Sequence, residues 1–189
     1  MSNHDSHNNQ LQLAQQLFCA NDSYNAVLRR SSASKASATI VFNDIIQLVK
    51  GNSLMDHSKR SSAIIEKINS DLNLRKLYLQ LINKLKFAES GLQAAASTGE
   101  TLPERITEHF SLKFKRDKNH VSQVYVILTI NHPAEHHFNH AIAIHITTGE
   151  QVDCLYFPIL ADGRSQLLME ENDDYLKSLT DNNSHLYLM

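Results

Sequence analysis

Glycine and proline are scarce in this 189-residue chain, at five and three residues, which argues for regular elements over a loop-rich or low-complexity scaffold. Cysteine is scarcer still. Only Cys19 and Cys154 occur, with no CxxC pair, whereas a small secreted fold usually carries a denser set; a reducing cytosol is the expected setting. The opening residues MSNHDSHNNQ hold neither the basic nor the apolar segment that begins a secretory signal. The longest apolar runs, such as VYVIL at 124–128, fall well short of the roughly 20 residues that span a bilayer. These shortages predict a cytoplasmic protein with no membrane segment.

Motifs that announce common chemistries are missing as well. There is no GxSxG elbow, no P-loop and no HExxH zinc pattern. Cys154 alternates with Val152 and Tyr156 as a packed core thiol does, and Cys19 beside Leu17 and Phe18 reads the same way. Asp162-Gly163-Arg164 has the letters of a catalytic loop, yet a hairpin turn explains it.

A concentrated basic face is absent too. Arg29-Arg30, Lys59-Arg60, Arg75-Lys76, Lys84 and Lys86 are interleaved with Asp44, Asp56, Glu66 and Asp71. A nucleic-acid-binding regulator built on a helix-turn-helix at 40–68 therefore ranks behind protein binding. The charge is nonetheless uneven. Residues 1–118 carry 16 Lys and Arg against 11 Asp and Glu, net +5, while residues 119–189 carry 2 against 9, net −7. A basic part and an acidic part can dock on each other or on separate partners.

What the chain does have is hydrophobic periodicity. With 42% apolar residues, a chain of this size can hide roughly 70% of its unfolded surface. Residues 1–9, polar and rich in Asn and His, are expected to form a disordered tail. Leu13, Leu17, Tyr24 and Leu28 recur near helical spacing over 10–30. IVFNDIIQLVKGN places Ile45, Leu48 and Val49 on one side and ends in Lys50-Gly51, as a helix C-terminus does. A third helix is expected over 54–68. In a fourth, Leu74, Leu77, Tyr78, Leu81, Ile82 and Leu85 keep helical order, with GLQAAAS extending it to near Gly99. Thr101 and Glu104 have capping-box spacing, which predicts a short helix over 102–108.

At Phe110 the period changes to two. FSLKFK alternates Phe110, Leu112 and Phe114 against Ser111, Lys113 and Lys115. In VSQVYVILTI, Val124, Val126, Leu128 and Ile130 share one face, and in HAIAIHITT Ile142, Ile144 and Ile146 share another. Thr148-Gly149 and Asp162-Gly163 fit turns into QVDCLYF and SQLLME. NDDYLKSL reads as a short helix, and 186–189 as a closing strand at a sheet edge able to pair with another chain. The fold expected is α+β: a helical region over 10–108 with about four helices, then an antiparallel β-meander of about five strands with a short C-terminal helix over 109–189, packed with the helices.

Five of the chain's 11 histidines fall in HPAEHHFNHAIAIHITTG at 132–149. If PAEHHFNH makes a helical turn, His136 and His140 become i, i+4 neighbours able to meet one Zn²⁺, with His132 or Glu135 as a third ligand. That arrangement would serve a histidine-dependent, metal-assisted hydrolase. His145 stands five residues beyond His140, so on a strand the two point to opposite faces and His145 does not join such a site. The leading expectation needs no cofactor. Tyr125 and Ile127 lie on the supposed wet face, beside Ala143 and His145 on the strand expected next to them. Small neighbours should leave His145 room and access to water. An apolar patch there predicts a second layer or a self-association surface. The function expected is a non-catalytic protein-interaction or regulatory module that binds another protein or itself through Tyr125, Ile127 and His145.

Overall fold

A computed structural model describes residues 40–51, 57–91, 102, 104–133, 141–158 and 161–189. The tail expected at 1–9 and the helix expected at 10–30 lie outside the described residues. Three helices come first: α1 (Phe42–Lys50), α2 (His57–Ser70) and α3 (Leu72–Leu85). The Asp44 carboxylate accepts the Val41 N–H at 3.0 Å at the start of α1. Gly51 (φ 66) closes that helix in the left-handed region that glycine tolerates best. Asp71 caps α3 by accepting from Asn73 and Leu74 N–H at 2.9 and 3.2 Å. Ile45, Leu48 and Val49 of α1 and Leu74, Leu77, Tyr78, Leu81 and Ile82 of α3 are buried, as their spacing predicts.

The fourth helix expected from sequence, α3, stops earlier than Gly99. Lys86 takes an extended conformation (φ −57, ψ 138), and the Phe87 N–H donates to the Leu188 carbonyl at 3.0 Å. The chain then enters β1 (Ala88–Ser90). The remaining strands are β2 (Arg105–Ile106), β3 (Phe110–Arg116), β4 (Gln123–Ile130), β5 (Ile142–Thr148), β6 (Gln151–Phe157), β7 (Arg164–Glu170) and β8 (Ser184–Leu188), with α4 (Asp174–Thr180) before β8. The expected α+β class with antiparallel sheets holds.

The strands form two four-stranded sheets, ordered β1-β8-β5-β6 and β2-β3-β4-β7. A single meander is thus replaced by two sheets, and strands sit inside the region expected to be helical. The reason lies in the apolar faces. Val124, Val126, Leu128 and Ile130 of β4 and Ile142, Ile144 and Ile146 of β5 are all buried in one cluster, with Phe110, Phe157 and Leu186. Both stripes leave water only if the chain changes sheet after β4 and the two sheets pack face to face. On its other face the first sheet is covered by α1–α3, so three layers result.

Two further expectations are overturned. The segment 102–108 is not a short helix: Arg105 and Ile106 pair with Leu112 and Ser111 of β3. The Arg105 side chain is 3% exposed. Its guanidinium donates to the carbonyls of Leu179 (2.8 Å), Ser184 (2.9 Å) and Asp181, long-range ties that local capping cannot match. β8 is not an edge either, because it lies between β1 and β5. The Asp162-Gly163 turn stands as expected, with both residues at positive φ (50 and 75) and Ala161 bridged to Arg164. No helix among the described residues is long and apolar enough to cross a membrane.

Candidate functional site

β5 is buried on both faces, and its helix-facing side carries the chemistry. Gly51 ends α1 so close to the sheet that a Cβ there would stand 3.2 Å from the Ala143 Cβ. Next along β5, His145 is 0% exposed, against the expectation of water access. Its Nε2 lies 3.0 Å from the Val49 carbonyl and its Nδ1 lies 2.5 Å from the Tyr78 hydroxyl. A carbonyl can only accept, so Nε2 carries the proton and Nδ1 accepts from Tyr78. Burial lowers the His145 pKa to about 4 and raises that of Tyr78 well above the ordinary phenol range. Both groups are therefore neutral and satisfied at pH 7. They fasten α1 and α3 to the sheet and present no base to a substrate.

Cys154 of β6 stands opposite His145 in the register. Their juxtaposition has the residue types of a Cys–His pair but not its electrostatics. Burial pushes the Cys154 thiol up to about 12, so no thiolate is present at neutral pH to act as nucleophile. Tyr156, two residues on, donates to the Leu48 carbonyl at 3.3 Å, and burial raises its phenol too.

A cavity of about 860 Å³ opens beside these residues, between α2 and the outer edge of β6. Ser61, Ser62, Ile65, Glu66 and Asn69 of α2 form one wall. Gln151 and the run Asp153 to Tyr156 of the strand line the cavity too, with Tyr175 of α4. Among the described strands β6 is terminal in its sheet. At one end of the cavity the Asn69 side chain takes the place of the missing neighbour: its Oδ1 accepts the Val152 N–H at 2.9 Å and its Nδ2 donates to the Val152 carbonyl at 3.0 Å. In an antiparallel ladder, alternate residues present both backbone groups to the same edge. Val152 faces outward, so Cys154 does too. Among the described residues no hydrogen bond meets the Cys154 backbone from that side.

Asp153 also lines this cavity. Its carboxyl is held above the ordinary range, first by burial and then by the nearby Asp174. The ion pairs among the described residues engage Asp44, Glu89, Glu104, Glu150, Glu171 and Asp174, and none engages Asp153. Among the described residues, Glu66 and Asp153 are the charged side chains on the cavity walls.

The residues singled out from sequence do not converge. Tyr125 and Ile127 lie on the outer face of the second sheet, where Tyr125 pairs with Lys115 and Leu168, and Ile127 with Lys113 and Gln166. A smaller cavity of about 420 Å³ there is lined by Tyr125, Ile127, Gln166 and the turn after β3. The Tyr125 hydroxyl is committed to Asp117, whose carboxylate is held low mainly by the N–H groups of Asn119 and His120. His145 lies in the other sheet and faces the helices, because β4 and β5 are not neighbours. His132 is exposed at φ 55, while His136 and His140 lie outside the described residues. Among the described residues no group of three or more His, Cys, Asp and Glu is placed to hold a metal. Sequence reasoning missed the β6 groove, since nothing local marks a strand as terminal. Compared with known proteins, the chain matches no family model, no curated protein and no solved structure.

Proposed function

We propose that this chain is a non-catalytic, cytoplasmic protein-interaction module that receives an extended polypeptide segment along the edge of β6, beside α2. The observation that carries the reading is the pairing of Asn69 with Val152. A side-chain amide stands in for a neighbouring strand, and just beyond it the edge opens into a cavity of about 860 Å³. A strand laid there gains main-chain hydrogen bonds from Cys154, while alternate side chains enter the cavity. Extended peptides are recognised at sheet edges by this combination. The neutral His145 and un-ionised Cys154 support binding over nucleophilic catalysis, and the free, buried Cys154 fits a reducing cytosol.

Self-association through the same edge is disfavoured, because two antiparallel β6 strands would bring Asp153 near its own copy. It is left to the outer face of the second sheet, where Ile106 (62% exposed) and Leu168 (50% exposed) accompany Tyr125 and Ile127. Sedimentation of the wild type and Leu168→Glu over a range of concentrations tests that second surface; identical monomeric profiles retire it.

For the groove, displayed random peptides are selected against the full chain, and the winners are resynthesised with single N-methylated amides. Methylation at alternate positions should abolish binding and the positions between should tolerate it, with slower hydrogen exchange at the Cys154 amide. Ile65→Arg, which fills the cavity from a half-buried helix position, should remove binding while leaving the thermal transition in place. Failure to select any peptide, or binding indifferent to N-methylation, overturns the reading.

A further inference from the structure

We infer that the segment received along β6 alternates in character, with an apolar side chain towards α2 and, on the adjacent residue, a Lys or Arg against Asp153. The inference rests on the strand-addition reading above and adds the partner's chemistry to it. Parity supplies the first half. Val152, Cys154 and Tyr156 face the helices and pack with Ile64, Ile65 and Ile68, whereas Leu155 packs in the cluster between the sheets. Asp153 shares the Leu155 parity and stands near Asp174 and Tyr175 of α4. An added strand inherits this alternation. One set of its side chains enters between Ile65 and Tyr156, and the other set meets Asp153 and Tyr175.

Charge supplies the second half. Among the described residues the cavity walls carry two carboxylates, Glu66 and Asp153, and no cation. Asp153 is half-buried and has no ion-pair partner among the described residues. An acidic segment would add a like charge to this site, a neutral one would leave Asp153 unpaired, and a cationic one satisfies it. A second copy of β6 would bring its own Asp153 and fails the same criterion.

The test uses the full chain and three short peptides of equal length that alternate Val with Lys, Val with Gln and Val with Glu. At low salt the Lys peptide should bind about tenfold tighter than the Gln peptide, with the Cys154 amide protected in both complexes and no binding of the Glu peptide. Asp153→Asn should erase the Lys preference, and Glu66→Gln should reduce it less, neither with any loss of thermal stability. Equal affinities for Lys and Gln peptides with Cys154 protected would overturn the charge assignment and leave strand addition standing. A Lys preference that survives Asp153→Asn overturns the assignment to Asp153. If no peptide protects Cys154, strand addition itself falls.

Discussion

The two faces of β5 bury two different kinds of core. Towards the second sheet, Ile142, Ile144 and Ile146 meet Val126, Leu128, Phe110 and Leu186, and none of the buried members titrates. Towards the helices, Ala143 and His145 meet Gly51, Val49 and Tyr78, with Cys154 alongside. The first core is held around β5 by shape and apolar area, and at its end by the buried Arg105 guanidinium on carbonyls near α4 and β8. The second is held in part by one buried hydrogen-bonded imidazole that must stay neutral. The side chains of β5 therefore meet non-titrating neighbours on one face and form a titrating site on the other. The candidate groove beside β6 is lined both by Cys154 of the helical side and by Asp153 of the opposite parity.

The largest effect should come from the dry core. Ile144→Ala removes a side chain packed between the sheets and should cost about 4 kcal/mol, by the same amount at pH 5 and pH 8. Urea midpoints at the two pH values measure this; a loss that changes with pH would break the contrast between the layers.

Acid should act on the helical layer next. The folded His145 pKa of about 4 lies below the unfolded 6.5, so its stabilising contribution is complete above pH 6.5. It is lost as pH falls towards 4, by about 3 kcal/mol in all. Asp153 works in the opposite sense, because its raised pKa lets the folded state take up a proton first, but solvent screening at that half-exposed site keeps the compensation small. Denaturant midpoints between pH 7.5 and 4 should fall for the wild type and stay nearly level for His145→Gln. Parallel curves would sink the assignment.

Tyr78→Phe keeps the ring and leaves the His145 Nδ1 buried without a donor, which should cost about 2 kcal/mol. Calorimetry should place it well below the wild type, and a neutral result would mean that another donor reaches the imidazole. Gly51→Ala should cost about 1 kcal/mol, from its left-handed φ and from the 3.2 Å approach to Ala143; amide exchange in α1 should quicken while that in β4 stays unchanged. The smallest effect reverses sign. Asp153→Asn removes a carboxylate that the fold holds above its ordinary pKa, so stability at pH 7 should rise by less than about 1 kcal/mol.

Much of this architecture is legible from spacing. The stripes of α1 and α3, the alternation in β3, β4 and β5, the Asp162-Gly163 turn and the α4 segment each depend on residues a few positions apart. Period and cap are local consequences of backbone geometry. Where a local signal met a distant one, it lost: Thr101 and Glu104 predicted a helix, and the buried Arg105, held by carbonyls near α4 and β8, made a strand instead. Alternation also told that His145 and Ile144 face opposite ways, but not that both faces would be covered.

From the sequence by itself came the class of the elements other than β1 and β2, the Asp162-Gly163 turn and the opposed faces of the strands, because these follow from the two backbone periods. Tertiary structure alone decided which sheet each strand joined, that β8 became interior and β6 terminal, and that His145 lost its water. Those outcomes depend on which apolar stripe finds another to cover it. That choice is made between residues far apart in the chain, and the Asn69–Val152 pairing beside the groove spans such a distance.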